Sequence, residues 1–358
     1  YNDDAVSLWE GRRSSVQNLV FGAERILYGV MKKMVIADRL NIMIKTLYSG
    51  YADYDGGMMV VAAIAYTCQL YMEFSGTMDV VIGSAELFGI VLPENFKRPF
   101  FSKSISEFWT RWHITLGTWF RDYIFYPISM SKPMKRLTSK ARKKIGNHFG
   151  PLIAGSIALF VVWLFNGLWH GAGWHYICFG MYHFVLIASA NAVEPYTKKF
   201  LEKLHIRREE GGYKCFRIVR TALLVCIGEL IFRADSLRIA MRMLKKMFTD
   251  FTFRSFTDGT LLNLGMDKHD FMIVAVSVLI VLVISIANER GICIRQKLAE
   301  KKVDLVFSSK PPVEMGLTAI AVEQQDLVLI VPKNHPLAKN HSVDLTETLP
   351  YPQVYFSE

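Results

Sequence analysis

The sequence contains no CxxC pair: Cys68, Cys178, Cys215, Cys226 and Cys293 are scattered, and most sit in apolar segments. Such spacing offers neither a disulfide framework nor a thiolate metal site, so the five read as packing residues and no metal is expected. Charge is scarce as well, 21% of residues against 51% apolar, a balance that points to a membrane protein rather than a soluble domain. There is no signal peptide: the chain opens on the acidic and polar "YNDDAVSLWEGRR" at Tyr1, and the expectation is a chain whose start is missing. Internal repeats and low-complexity segments are also absent.

What is abundant is long apolar runs. "FMIVAVSVLIVLVISIAN", Phe271 to Asn288, carries no charge over about 18 residues, enough to cross most of a hydrocarbon core about 30 Å thick. "GMMVVAAIAYTCQLYMEFSG" (57–76) predicts a second span with a single acid, Glu73, near its end, and "DVVIGSAELFGIVLP" a separate half-inserted or buried helix. "GPLIAGSIALFVVWLFNGLWHG" and "WHYICFGMYHFVLIASANAV" predict a helical hairpin whose turn, "HGAG", uses Gly171 and Gly173 to relieve backbone strain. "CFRIVRTALLVCIGELIFRA" reads as a further span and "SLRIAMRMLKKMF" as an amphipathic helix. Residues 17–48, with a basic pair in "MKKMVIADRL", read as one or two interfacial or obliquely inserted helices.

The net charge of +10 comes largely from basic blocks at 131–148, 198–214 and 290–302. They lie beside apolar segments, and alternating spans would put them on one side, which the positive-inside rule makes the cytoplasm. The run at 131–148 reads as a solvated loop. Nucleic acid is not the expected partner, since no aromatic-rich surface module accompanies the charge. From about Val303 short β-rich runs such as "LTAIAVEQQDLVLIVP" alternate with "KPP", "KNHPL" and "LPYP". This is the clearest composition shift in the chain, and it divides 1–302 from 303–358.

An ionisable side chain at membrane depth is costly and usually faces a bundle interior or a water-filled cavity. The ordinary role of a membrane histidine is a hydrogen bond between helices, and His175 and His183 are assigned to it. His170 differs in its setting: Trp169 precedes it and Gly-Ala-Gly follows, leaving the imidazole uncrowded and suited to act as a general base on an alcohol. His113 lies beside Trp112 in a block that also holds Arg111, Arg121 and Asp122. Arg111 and Asp122 are about three helical turns apart and are expected to share a face, as structural pairing or as groups that orient His113 or bind an anionic donor.

Several stretches in order, among them "YMEFSGTMDVVIGSAELFGIVLPENFKRPF", "SISEFWTRWHITLGTWFRDYIFYP", "NGLWHGAGWHYICFGMYHF" and "ELIFRADSLRIA", resemble the membrane-bound O-acyltransferase family. The likeness is to its bacterial branch of alginate O-acetyltransferases and teichoic acid D-alanyl transfer proteins, over about Val16 to Lys302. The resemblance implies an all-α helical array around a tunnel, with the catalytic histidine at His170 and a second histidine at His113; Asn166, Trp169, Trp112, Arg111, Arg121 and Asp122 are the candidate tunnel-lining or supporting residues. It also implies a multi-pass protein of the bacterial cell membrane with no bound cofactor. Its donor would be an acyl thioester (acetyl-CoA or an acyl carrier protein) on the cytoplasmic side, and its acceptor a polysaccharide or teichoic acid outside, with an esterase-like extracytoplasmic partner.

Glu73 and Thr77 stand where the polysaccharide branch has aspartate and tyrosine, and Ser75 where the teichoic acid branch has alanine. Those departures leave the acceptor open, while "FSGTMDVVIG" and "LPENFKRPF" resemble the polysaccharide branch more, so acetyl transfer to an envelope polysaccharide is the leading expectation and D-alanyl transfer its alternative. Residues 303–358 resemble part of the effector-binding domain of LysR-type regulators, with no helix-turn-helix ahead of it. A chimeric join near Lys302 is expected, with a fused sensor domain as the alternative. With early helices absent, part of the tunnel wall would be missing and the chain alone inactive. A transporter fits buried histidines and glycine-broken helices too, but it predicts matching halves, which the sequence does not show.

Overall fold

A computed structural model describes residues 15–291, all within the unit Tyr1–Ile294. The β-rich runs expected beyond residue 303 lie outside the described residues. Helix α1 (Val16–Met31) begins at Ser15, whose hydroxyl accepts the Asn18 N–H at 3.1 Å. It passes through a π-helical turn at Lys32–Ala37 into α2 (Asp38–Ser49), so the expected one-or-two-helix segment is one continuous helical stretch. Helix α3 (Gly56–Leu87) starts at Asp55, which accepts the Met58 N–H at 3.0 Å.

The predicted break after Gly76 does not occur. Helix α3 runs straight through, because Gly76 and Gly83 are contact points with α1 rather than turn residues. A Cβ on Gly76 would lie 2.7 Å from the Gly29 carbonyl oxygen, and one on Gly83 would lie 2.8 Å from that of Gly22. The backbones touch, and beside the Gly29–Gly76 contact Lys32 is buried against Asp79 and the Ser75 hydroxyl, the latter at 2.9 Å. Arg25 also reaches Asp79, at 3.1 Å. A buried cation of this kind is tolerable only because it is paired and hydrogen-bonded. Glu73, the acid near the end of the predicted span, pairs with Lys33 at 2.9 Å.

After α3 come two short helices, α4 (Ile105–Arg111) and α5 (Ile114–Phe120), a π-helical turn at Arg121–Phe125, and α6 (Tyr126–Ser129). The basic run at 131–148, expected as a loop, is helical instead. Ser131 and Pro133 open α7 (Lys132–His170), which breaks once at Gly146, where φ is 89°. Helix α7 forms the expected hairpin with α8 (Trp174–Lys203). Gly171, at φ 146°, makes the turn, whereas Gly173 is at an ordinary φ of −73° and is needed for space: a Cβ there would lie 2.8 Å from His175 Nδ1.

Helix α9 (Gly211–Arg233) leads to the amphipathic α10 (Leu237–Thr249), and α11 (Lys268–Glu289) starts with a reciprocal cap between Asp267 and Asp270. By length and composition four of these helices could cross a membrane: α3, α7, α8 and α11. Helix α9 was expected among them and is not. It is long enough, but Arg217, Arg220 and a third charged residue fall in every stretch of span length within it. Helices α8 and α9 pack closely all the same, with the Tyr182 hydroxyl donating to the Leu224 carbonyl at 2.9 Å.

The glycine contacts between α1 and α3 make a prediction. Gly76→Ala drives a methyl group into a backbone carbonyl and should cost on the order of 3 kcal/mol, read as a large fall in melting temperature in detergent. Gly155→Ala, on α7 with open space around it, should leave stability unchanged or raise it by up to about 1 kcal/mol through helix propensity. Equal effects at the two positions would refute the close-contact account.

Candidate active site

The aromatic, charged block at 108–127 is not one helix. It breaks at Trp112–His113, where His113 adopts the left-handed conformation with φ 47° and ψ 53°. For a residue other than glycine this costs on the order of 1–2 kcal/mol and persists only where the surroundings impose it. Asn95 imposes it here. Its buried Oδ1 accepts from the Thr115 hydroxyl at 2.7 Å and from the Thr115 N–H at 3.3 Å, and it lies 3.2 Å from His113 Nδ1. The Asn95 carbonyl takes the Ile114 N–H at 3.1 Å, Phe96 pairs with Trp112 in an antiparallel bridge, and Lys97 N–H donates to the Arg111 carbonyl at 2.9 Å.

The Thr115 donors identify that atom of Asn95 as the amide oxygen. His113 must then donate from Nδ1, which leaves its Nε2 with a free lone pair. The same break separates Arg111 from Asp122, which do not share a face as expected. Arg111 pairs with Glu107 at 2.8 Å and Glu289 at 3.2 Å, while Asp122 pairs with its neighbour Arg121 at 2.9 Å. Neither Arg111 nor Asp122 orients His113.

His170 ends α7 and is held by rings. Its centroid lies 4.7 Å from that of Trp169, 4.8 Å from Phe232 on α9 and 6.2 Å from Phe179 on α8. Among the described residues, neither of its ring nitrogens has a hydrogen-bond partner. His170 and His113 line one cavity of about 520 Å³ together with Trp169, Trp112, Asn166 and Arg121. Trp169 stands between the histidines, its ring 6.2 Å from that of His113. The structure thus brings together six of the eight residues singled out in the sequence.

His183 is fully buried and accepts a hydrogen bond from Trp109 Nε1 at 3.3 Å, the interhelical role expected of it. His175 packs on Tyr176, with centroids 4.0 Å apart. Two residues of the site escaped sequence reading, one holding the His113 turn and one lining the cavity. Asn95 is one, and its only signal was the local motif "LPENF". Glu229 on α9 is the other: it is 2% exposed, lines the cavity and has no ion-pair or hydrogen-bond partner among the described residues. Among those residues no cluster of His, Cys, Asp and Glu could hold a metal ion.

Against this geometry stand the matches to known proteins. Residues 5–142 match the model of MBOAT, the membrane-bound O-acyltransferase family. Over 246 residues the chain is 35% identical to a probable alginate O-acetylase of Pseudomonas syringae pv. tomato, covering 69% of this chain and 42% of that protein. It is 30% identical over 231 residues to a peptidoglycan O-acetyltransferase of Helicobacter pylori, covering 64% and 39%. With a teichoic acid D-alanyltransferase of Bacillus subtilis it shares 35% identity over 167 residues, covering 47% and 39%.

The chain spans about half or less of the length of these curated relatives. The membrane-bound O-acyltransferase segment proper contains His113 and Asn95, and His170 lies beyond it. A match of 246 residues in a chain of 358 nevertheless includes both histidines wherever it begins. Residues 286–358 match the LysR substrate binding domain, starting in the last turn of α11.

The Asn95 clamp predicts a tautomer. In protein with ¹⁵N-labelled histidine, nitrogen NMR should show His113 protonated at Nδ1. Asn95→Leu should shift the population toward Nε2–H and cost about 1–3 kcal/mol, because the Thr115 and His113 donors lose their acceptor. An unchanged tautomer in that variant would show that Asn95 does not set it.

Proposed function

We propose that this chain carries the reaction centre of an integral membrane O-acyltransferase that moves an acyl group, most simply acetyl, from a cytoplasmic thioester to a hydroxyl of a cell-envelope polysaccharide. One observation carries the reading: two histidines, one at the break before α5 and one at the end of α7, line one largely apolar cavity, and His170 makes no hydrogen bond among the described residues that would occupy its nitrogens. The family and the acetylase relatives supply the reaction class.

In this reading a ring nitrogen of His170 takes the acceptor's hydroxyl proton as its oxygen attacks the thioester carbonyl carbon. The tetrahedral oxyanion then collapses, the C–S bond breaks, and the departing thiolate takes the proton from the His170 imidazolium. His113, its Nδ1 proton used on Asn95, turns the chemistry of Nε2 toward the cavity. Trp169 and Trp112 exclude water, and Arg121 at the rim attracts an anionic donor such as coenzyme A or an acyl carrier protein. The protein sits in the bacterial cell membrane as a multi-pass array with its basic blocks cytoplasmic, and an extracytoplasmic esterase-like partner completes transfer. Residues 303–358 form a piece of a regulator's effector-binding domain joined near Lys302 and take no part in this chemistry. D-alanyl transfer to teichoic acid is the second reading, favoured by the likeness to the Bacillus subtilis transferase.

The test is acyl transfer to oligosaccharide in proteoliposomes, by this chain and by the Pseudomonas syringae relative altered at the histidine aligned with His170. His170→Ala should lower transfer by about 10²–10⁴-fold while insertion and melting temperature stay the same. Unaltered transfer in an inserted protein would remove His170 from the reaction.

A further inference from the structure

The cavity holds two polar groups that the proposed chemistry leaves unused. Asn166 is 8% exposed, and its buried Oδ1 has no hydrogen-bond partner. Glu229 is 2% exposed and has neither an ion pair nor a hydrogen bond among the described residues. Both line the cavity. A buried acceptor left unpaired costs on the order of 1–3 kcal/mol, and a buried carboxyl costs more. Two such residues bordering the same space are therefore candidates to take a ligand's donors.

Their placement follows from helix register. On α8, Gly180 packs against Trp163 of α7, and Tyr176 against Gly167, so α7 and α8 are antiparallel. His183 of α8 meets Gly228 of α9, and Phe179 meets Phe232, so α8 and α9 are antiparallel too. Helices α7 and α9 accordingly run the same way. Asn166 precedes His170 by four residues, and Glu229 precedes Phe232, whose ring contacts His170, by three. Each polar group thus lies about one turn, roughly 5 Å, to the same side of the His170–Phe232 contact. That offset is on the scale of one sugar ring.

We infer that Asn166 and Glu229 form an acceptor subsite that binds further hydroxyls of a pyranose ring while another hydroxyl of the same ring meets His170. The inference rests on the proposed acyl transfer for its reacting hydroxyl, but the binding it describes does not require turnover. A carboxyl and an amide oxygen accept hydrogen bonds from hydroxyl groups, and the surrounding Trp163, Phe179 and Phe232 offer apolar faces against which a ring can lie. The pair selects polyhydroxylated acceptors over simple alcohols.

The test is the affinity of a linear hexose trisaccharide for the full chain in nanodiscs, measured by saturation-transfer NMR alongside its permethylated form. Glu229→Leu and Asn166→Leu should each weaken trisaccharide binding about tenfold, a change of about 1.4 kcal/mol. Glu229→Gln, which keeps an acceptor, should stay within about threefold, and permethylation should abolish binding to the unaltered chain. Equal affinities across the variants, or equal binding of the permethylated sugar, would overturn the subsite. So would binding of alaninamide in place of the sugar with loss in Glu229→Gln, because the carboxyl would then be an ammonium site. The permethylation comparison decides the matter even if a leucine variant fails to insert. Sugar binding with this dependence but no acyl transfer would sink the proposed function and leave the subsite standing. Acyl transfer with unmoved affinities would do the reverse.

Discussion

One buried amide oxygen, Asn95 Oδ1, holds the turn on which the site is built. Without it the aromatic block after α3 has no reason to break at His113, because a left-handed histidine is strained and three donors converging on one point need an acceptor. With it the block becomes two short helices, His113 faces the cavity, and Trp112 is carried into the aromatic core against Phe108, with ring centroids 5.4 Å apart.

The clamp is itself anchored. Arg25 on α1 forks its guanidinium between Asp79 on α3, at 3.1 Å, and Glu94, the residue before Asn95, at 2.8 and 2.6 Å. A planar fork suits that bidentate pairing as a lysine ammonium could not. Asp79 also pairs with the buried Lys32 beside the Gly29–Gly76 contact. The close crossing of α1 and α3 therefore fixes Glu94, Glu94 fixes Asn95, and Asn95 fixes His113. The second histidine arrives by another route, at the end of α7, where Gly171 turns the chain and Phe232 from α9 supports the ring. The two routes meet at Trp169.

Much of this was legible in the sequence. Uninterrupted apolar runs marked α3, α7, α8 and α11, because a span must be long and uncharged. The amphipathic period marked α10, and the glycine context of "LWHGAG" singled out His170. Where reading failed, the reason was distance along the chain. Gly76 looked like a break because its partner, Gly29, lies 47 positions earlier. The basic run after Pro133 looked like a loop because charge alone does not distinguish a solvated helix from a solvated coil. Arg111 and Asp122 looked like neighbours on a helix that Asn95, 16 and 27 positions upstream, does not allow to form.

The sequence by itself determined the helical, membrane-type character of the chain, its basic flanks and the two histidines worth attention, since hydropathy, period and local glycine context are properties of neighbouring residues. Only the tertiary structure decided which ring nitrogen His113 leaves free, which of eight candidates share a cavity and which do not, and that Asn166 and Glu229 line it without a partner among the described residues. Those are relations between residues on different helices, and they exist only once the backbones of α1 and α3 touch and α7, α8 and α9 have aligned.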